Sequence, residues 1–289
     1  MYLKASSQIL RKAFSEWLKD DASLLAAALA YYGLFSFVPL IILLLTFLNS
    51  LFRQGYLDSQ TVEQSLDLVG QQMPAGTDGL IDQASDRAAS FGFTVISILI
   101  LLFGAAGLFV QTKRAFDIIW DLPENGRPLL ETALSYLHSY LLIALAAFLL
   151  LATSAANAIL LPVAGLIEEF LPVHLGLLRL VTFLVSFLFV TILFAAAYKT
   201  LIEVHLTWWQ VVPGSALASF LFAAGNLCIE AYVGLVDVGS AYGAAGSLVV
   251  FLFWIYYSAQ IFLFGAEVVK VQKRHAEQYN KHLSANTDN

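Results

Sequence analysis

Long apolar runs broken by short polar segments set the character of this chain. The stretch from Ala241 to Val271, AYGAAGSLVVFLFWIYYSAQIFLFGAEVVKV, opens with small residues and closes in charge. As a helix rising about 1.5 Å per residue, Gly243 to Glu267 covers roughly 36 Å, more than the roughly 30 Å hydrocarbon core of a bilayer. Runs of similar character lie at residues 24–52, 91–110, 137–161, 175–199 and 210–235. With 243–271 they predict an all-α, polytopic membrane protein with six transmembrane helices.

Polar segments frame the spans. Residues 1–23 form an amphipathic N-terminal segment, with Leu3, Leu10, Phe14 and Trp17 on one helical face and Lys4, Arg11, Lys12 and Lys19 around the rest. That pattern suits a helix lying in an anionic membrane interface, and equally one packed on the protein's own inner face. Residues 53–90 turn acidic and read as a short helical hairpin outside the membrane, broken at Pro74-Ala75-Gly76. Residues 272–289 form a polar tail. Lys and Arg fix the orientation: 12 fall in the N-terminal segment, the second and fourth loops and the tail, against 3 on the opposite side. By the positive-inside rule both termini are cytoplasmic and the hairpin is extracytoplasmic.

Composition agrees with this class. Charged residues make up 12% of the chain and hydrophobic ones 59%, whereas a soluble domain carries about 25% charged residues. The net charge of −6 says little about partners, because the charges sit in loops and tails. The single cysteine, Cys228, excludes an intramolecular disulfide. The five histidines are scattered, so no metal site is assigned. Phosphate-binding loops, nucleophile elbows and His-Glu-x-x-His patterns are missing, so neither catalytic residues nor a cofactor are assigned.

Candidate chemistry lies on two polar stripes. On the sixth span Tyr256, Gln260 and Glu267 fall within about 40° around the helix. On the fifth, Ser215, Ser219, Asn226 and Glu230 share a face. Both stripes are expected to point into the bundle, since lipid would leave them unsatisfied. Glu267 lies near the inner boundary and Glu230 near the outer, so the two acids do not form a pair. Lys270 and Arg274 follow Glu267 by one and two turns, which leaves an interfacial ion pair and a pathway role both open. On the first span Pro39, roughly 22 Å in from Leu24, withdraws a donor from the carbonyl of Phe35 and predicts a kink near Ser36. The candidate pathway residues are therefore Tyr256, Gln260, Glu267, Asn226, Glu230, Ser36 and Pro39.

The segments DDASLLAAALAYYGLFSFVPLIILLL at Asp20–Leu45, PGSALAS at Pro213–Ser219 and the Ala241–Val271 stretch resemble the YihY/virulence factor BrkB family. The first and last blocks are the specific ones. The resemblance implies a six-helix protein of the bacterial inner membrane, associated with virulence and serum resistance and formerly labelled ribonuclease BN. Where that family usually carries a small or neutral residue after the tryptophan of its second loop, this chain has Asp121.

Two function classes follow. One is a transporter or translocator of a lipid-like or weakly polar envelope component, motivated by the polar stripes and Pro39. The other is a non-transporting envelope-assembly protein, motivated by the acidic hairpin and small-residue helix faces. Ribonuclease activity is not expected, because hydrolytic metal-ligand clusters are missing and the basic loops are short. Membrane lipids, envelope proteins and a homo-oligomer are the partners considered; nucleic acid is not.

Overall fold

The computed structural model describes residues 2–53, 91–122, 175–235 and 244–287. Every regular element among them is a helix: α1 (Tyr2–Lys19), α2 (Ala22–Arg53), α3 (Phe91–Ile119), α4 (Leu175–Leu201), α5 (Trp208–Leu235) and α6 (Ala244–Thr287). Five stretches are long and apolar enough to cross a membrane: Ala22–Leu43, Thr94–Ile119, Phe183–Leu201, Trp208–Tyr232 and Gly246–Gln278. The expected span at 137–161 and the hairpin at 54–90 lie outside the described residues. Two helices outrun their expected spans. α3 continues past Val110 through Lys113 and Arg114, and α6 runs past Val271 into the polar tail.

Local chemistry explains where the helices stop. α1 ends at Asp20-Asp21, where Asp20 N–H still donates to Glu16 O at 2.8 Å while Asp21 adopts a left-handed φ of 48°. Aspartate is among the few non-glycine residues that tolerate that conformation. The Asp21 carbonyl then accepts from the N–H groups of Leu24 and Leu25, starting α2. α3 closes with Leu122 N–H donating to Asp117 O at 2.9 Å and Asp121 N–H to Ile118 O at 3.1 Å, the paired bonds of a Schellman motif. Asp121, at φ 50°, occupies the position that usually takes glycine. At the start of α5, Thr207 N–H donates to Gln210 Oε1 at 2.9 Å, the reciprocal half of a capping box.

Packing divides the chain into two compact units. The first contains Met1–Asp20, Phe116–Leu221 and Phe264–Asn289; the second contains Asp21–Ala115 and Phe222–Leu263. In the first unit Ala13 of α1 is buried with Val268 and Val271 of α6, and Ile9, Leu217 and Phe264 pack around them. α5 and α6 approach backbone to backbone there: a Cβ on Gly214 would stand 2.8 Å from the carbonyl oxygen of Gly265. A Cβ on Gly265 would in turn fall on the Tyr198 hydroxyl, so small residues are what permit the crossing.

The second unit uses the same device against aromatic rings. Cβ atoms on Gly107 and Gly225 would overlap the rings of Tyr32 and Tyr257 respectively, and one on Gly104 would stand 2.6 Å from Ser36 Oγ. Phe37 and Phe251 pack with ring centroids 4.3 Å apart. Large apolar side chains on α3, including Ile96, Leu99 and Leu102, are exposed, while Ser97 is buried. Apolar outside and polar inside is the pattern of a helix whose solvent is lipid.

Candidate functional site: a buried charge cluster

The strongest polar feature grows from one face of α6. Glu267, Lys270 and Arg274 are spaced i, i+3 and i+7, so they line up along the helix. Three valines, Val268, Val269 and Val271, surround Lys270 and are all buried. The lysine side chain is only 1% exposed and that of Glu267 is fully buried. A lysine held this way requires carboxylates around it.

Those carboxylates come from three elements. α1 supplies Glu16 and Asp20, one turn apart on the same face as Ala13, and each places an oxygen 3.4 Å from Lys270 Nζ. The end of α3 supplies Asp121, with Oδ2 at 3.3 Å. Glu267 itself lies 3.9 Å away. Arg274 Nη2 donates to Asp121 Oδ2 at 2.7 Å and Nη1 reaches Glu16 at 4.0 Å. The left-handed turn at Asp121 is thus what brings its carboxylate to the two cations.

Four carboxylates share two cations in this cluster, with Lys19 adding a solvent-exposed third at 3.9 Å from Glu16. The Arg274 hydrogen bond holds the Asp121 carboxyl below its ordinary range, against a smaller opposing effect of burial and with Lys270 assisting. Glu267 differs from the other acids: both of its carboxylate oxygens are buried without a hydrogen-bond donor. An ionisable group on a membrane helix, enclosed yet unsatisfied, marks a functional candidate. Among the described residues no three His, Cys, Asp or Glu side chains form a group able to hold a metal ion.

The seven sequence-derived candidates divide between the units. Glu267 belongs to the first, and Ser36, Pro39, Asn226, Glu230, Tyr256 and Gln260 to the second. Ser36 Oγ donates to Tyr32 O of its own helix at 2.8 Å and abuts Gly104, so it serves helix packing. Pro39 is buried within α2, which continues to Arg53. Asn226 Oδ1 accepts from Trp254 Nε1 at 2.9 Å, joining α5 to α6. Glu230 is exposed, Tyr256 is half-buried, and Gln260 keeps its amide oxygen buried with no hydrogen-bond partner. Ser215 and Ser219 are buried and donate to the carbonyls of Val211 and Ser215, each at 2.9 Å. The fifth-helix stripe therefore faces inward at its serines and outward at Glu230.

Sequence reading missed Glu16, Asp20 and Asp121 as members of one cluster. A usable signal was present: Lys270 stands alone among valines, while Glu16 and Asp20 sit one turn apart beside the small Ala13.

Long apolar helices with this inside-out pattern define a multi-pass helical membrane protein. The chain belongs to the Virulence factor BrkB family, whose pattern it matches over residues 13–288. It is 29% identical over 259 residues to a UPF0761 membrane protein of Alkalilimnicola ehrlichii, covering 88% of this chain and 56% of that protein. A UPF0761 membrane protein of Rhodospirillum centenum is 22% identical over 262 residues, covering 90% of this chain and 56% of its own. The chain thus spans little more than half the length of these two relatives. A Bacillus subtilis protein described as ribonuclease-like, YfkH, is 25% identical over 271 residues, 90% of this chain and 93% of its own. No solved structure matches.

Proposed function

We propose that this chain is a six-span protein of the bacterial inner membrane, with both termini cytoplasmic, that translocates a lipid-like or weakly polar envelope component. The observation that carries the reading is Gln260. Its amide oxygen is buried in an apolar helix with no donor, beside the half-buried Tyr256 and Tyr257. A buried polar atom without a partner calls for a donor, and a substrate group at this position would supply one. The orientation is supported by the concentration of Lys and Arg in the N-terminal segment, the second and fourth loops and the tail. The sixth span of this reading rests on the apolar composition of 137–161, which lies outside the described residues.

A photo-crosslinking residue at position 260 tests this in native membranes. Capture of a lipid or envelope precursor, together with loss of its translocation in Gln260→Leu at unchanged protein level, is the expected result. Crosslinks confined to the protein's own helices, with normal distribution of envelope components after deletion, would sink the proposal.

A non-transporting envelope-assembly role is the second reading. The packing duties of Ser36 and Asn226 favour it, since two of the candidate pathway residues are engaged in holding helices together. Crosslinking from the hairpin at 53–90 to another envelope protein would support it. The ribonuclease-like description belongs to the Bacillus relative and is not carried to this chain; purified protein that degrades RNA in the presence of divalent metal would reverse that.

A further inference from the structure

α1 carries three different stripes. Ile9, Ala13, Glu16 and Asp20 form the first, seated on Val268 and Val271 and pinned to Lys270 at 3.4 Å. The second is Leu10, Phe14 and Leu18, at i, i+4 and i+8, which remain 40%, 53% and 56% exposed. Trp17 stacks on Phe14 at the edge of this stripe, with ring centroids 5.8 Å apart. Arg11, Lys12 and Lys19 lie beyond it, all exposed.

We infer that α1 is an interfacial helix that docks, through Leu10, Phe14 and Leu18, on the anionic headgroup layer of the leaflet bounding its own transmembrane helices. Covalent connection limits its whereabouts: Lys19 lies three residues before Ala22, where the first candidate span begins. Three residues reach at most about 11 Å. The opposite stripe rests on Val268 and Val271, inside the candidate span of α6. With that stripe occupied, the apolar one is left at the boundary layer, and the basic one beside it meets the phosphates. This is the stripe order of a helix buried to its apolar face in the headgroup zone. A second copy of the chain is a poor fit, because a stable dimer needs about 800 Å² per partner, far more than three side chains on one helix expose.

The inference is independent of what, if anything, the protein transports. Its test uses the full chain with Cys228, the only cysteine, replaced by serine. Single cysteines at Phe14 and Lys12 carry an environment-sensitive fluorophore in nanodiscs of phosphatidylcholine with or without phosphatidylglycerol. Both positions are exposed, so labelling leaves the buried stripe intact, and an unchanged thermal midpoint checks this. The label at position 14 should be several-fold less accessible to aqueous iodide than the label at 12, and quenched by brominated lipid. Replacing Arg11, Lys12 and Lys19 with glutamine, the label staying at 14, should abolish the extra protection that phosphatidylglycerol confers. Equal iodide access at 12 and 14 would overturn the inference. So would protection indifferent to anionic lipid, or efficient disulfide formation between position-14 cysteines of two copies.

Discussion

Both units use glycines for close helix crossings, but among the described residues the first adds a buried charge cluster to them. In the first, α1, the end of α3 and α6 meet around Lys270, with four carboxylates within 4 Å of its amine. In the second, glycines let tyrosine rings lie against helix backbones, and polar side chains serve packing: Ser36 turns back on its own helix and Asn226 takes the Trp254 indole. Shape serves both, and charge is added in the first. The difference follows side-chain chemistry, since buried ions must satisfy one another across several elements, whereas apolar helices gain close packing at no desolvation cost.

The contrast breaks most sharply at Lys270. Lys270→Met keeps the aliphatic length but leaves Glu16, Asp20, Asp121 and Glu267 with only Arg274 and Lys19. Removing one partner of a buried charge group costs about 3–5 kcal/mol. Detergent or denaturant unfolding should show that loss, and α1 should become susceptible to protease. Adding Glu267→Leu should recover part of it. A Lys270→Met protein as stable as the parent would mean that apolar contacts at Ala13, Val268 and Val271 hold the unit without the charges.

Shape is tested at Gly107 and Gly225. Alanine at either position puts a methyl group into the space of a tyrosine ring, and overpacking of this kind costs about 1–3 kcal/mol. Tyr32→Ala combined with Gly107→Ala should be more stable than Gly107→Ala alone, because the obstructing ring is gone. Insensitivity of both glycines would show the rings free to swing away, and the second unit would then owe its cohesion to something other than close crossings.

Glu267 sharpens the comparison in a third way, because it sits in the charged unit yet has no hydrogen bond. Glu267→Gln preserves the shape and lowers the excess of negative charge around Lys270. We expect stability to rise by about 1 kcal/mol in denaturant unfolding. A loss comparable with that of Lys270→Met would instead make Glu267 an obligatory partner of the lysine.

The apolar runs were legible because periodicity and length survive any tertiary arrangement: α2, α4 and α5 begin and end close to the limits their runs predict. The small-residue faces were legible as packing signals, whereas Ser215 and Ser219, expected as candidate chemistry, bond back to their own helix. The charge cluster was not, since it joins Glu16, Asp121 and Lys270 across the length of the chain, and spacing speaks only to residues on one element. Glu267 and Arg274 are a case in point. Glu267 does lie 3.9 Å from Lys270, the ion pair that spacing on one helix allows, whereas Arg274 turns to Asp121, a contact that depends on the left-handed turn after Trp120. Lys113 and Arg114 misled in another way, their charge suggesting a loop where α3 continues, because long basic side chains at a helix end can reach the interface without ending the helix.

Asp121 is the smallest and most discriminating test, because at this one residue backbone and charge oppose each other. A non-glycine residue in the left-handed conformation costs about 1 kcal/mol, while a half-exposed ion pair contributes about 0–1 kcal/mol. Asp121→Gly should therefore be nearly neutral. Asp121→Asn loses the charge and keeps most of the strain, so it should be the less stable of the two by about 0.5–1 kcal/mol. The pH dependence separates these contributions. Because Arg274 depresses the Asp121 pKa, the pair's contribution is fully present above the ordinary aspartate range, near pH 4, and is lost as pH falls through the lowered value. Unfolding measured on both sides of that window should show a parental acid-side loss that is smaller in both variants. If all three proteins lose stability in parallel, the left-handed turn places Asp121 for geometry alone, and the charge bookkeeping around Lys270 is complete without it.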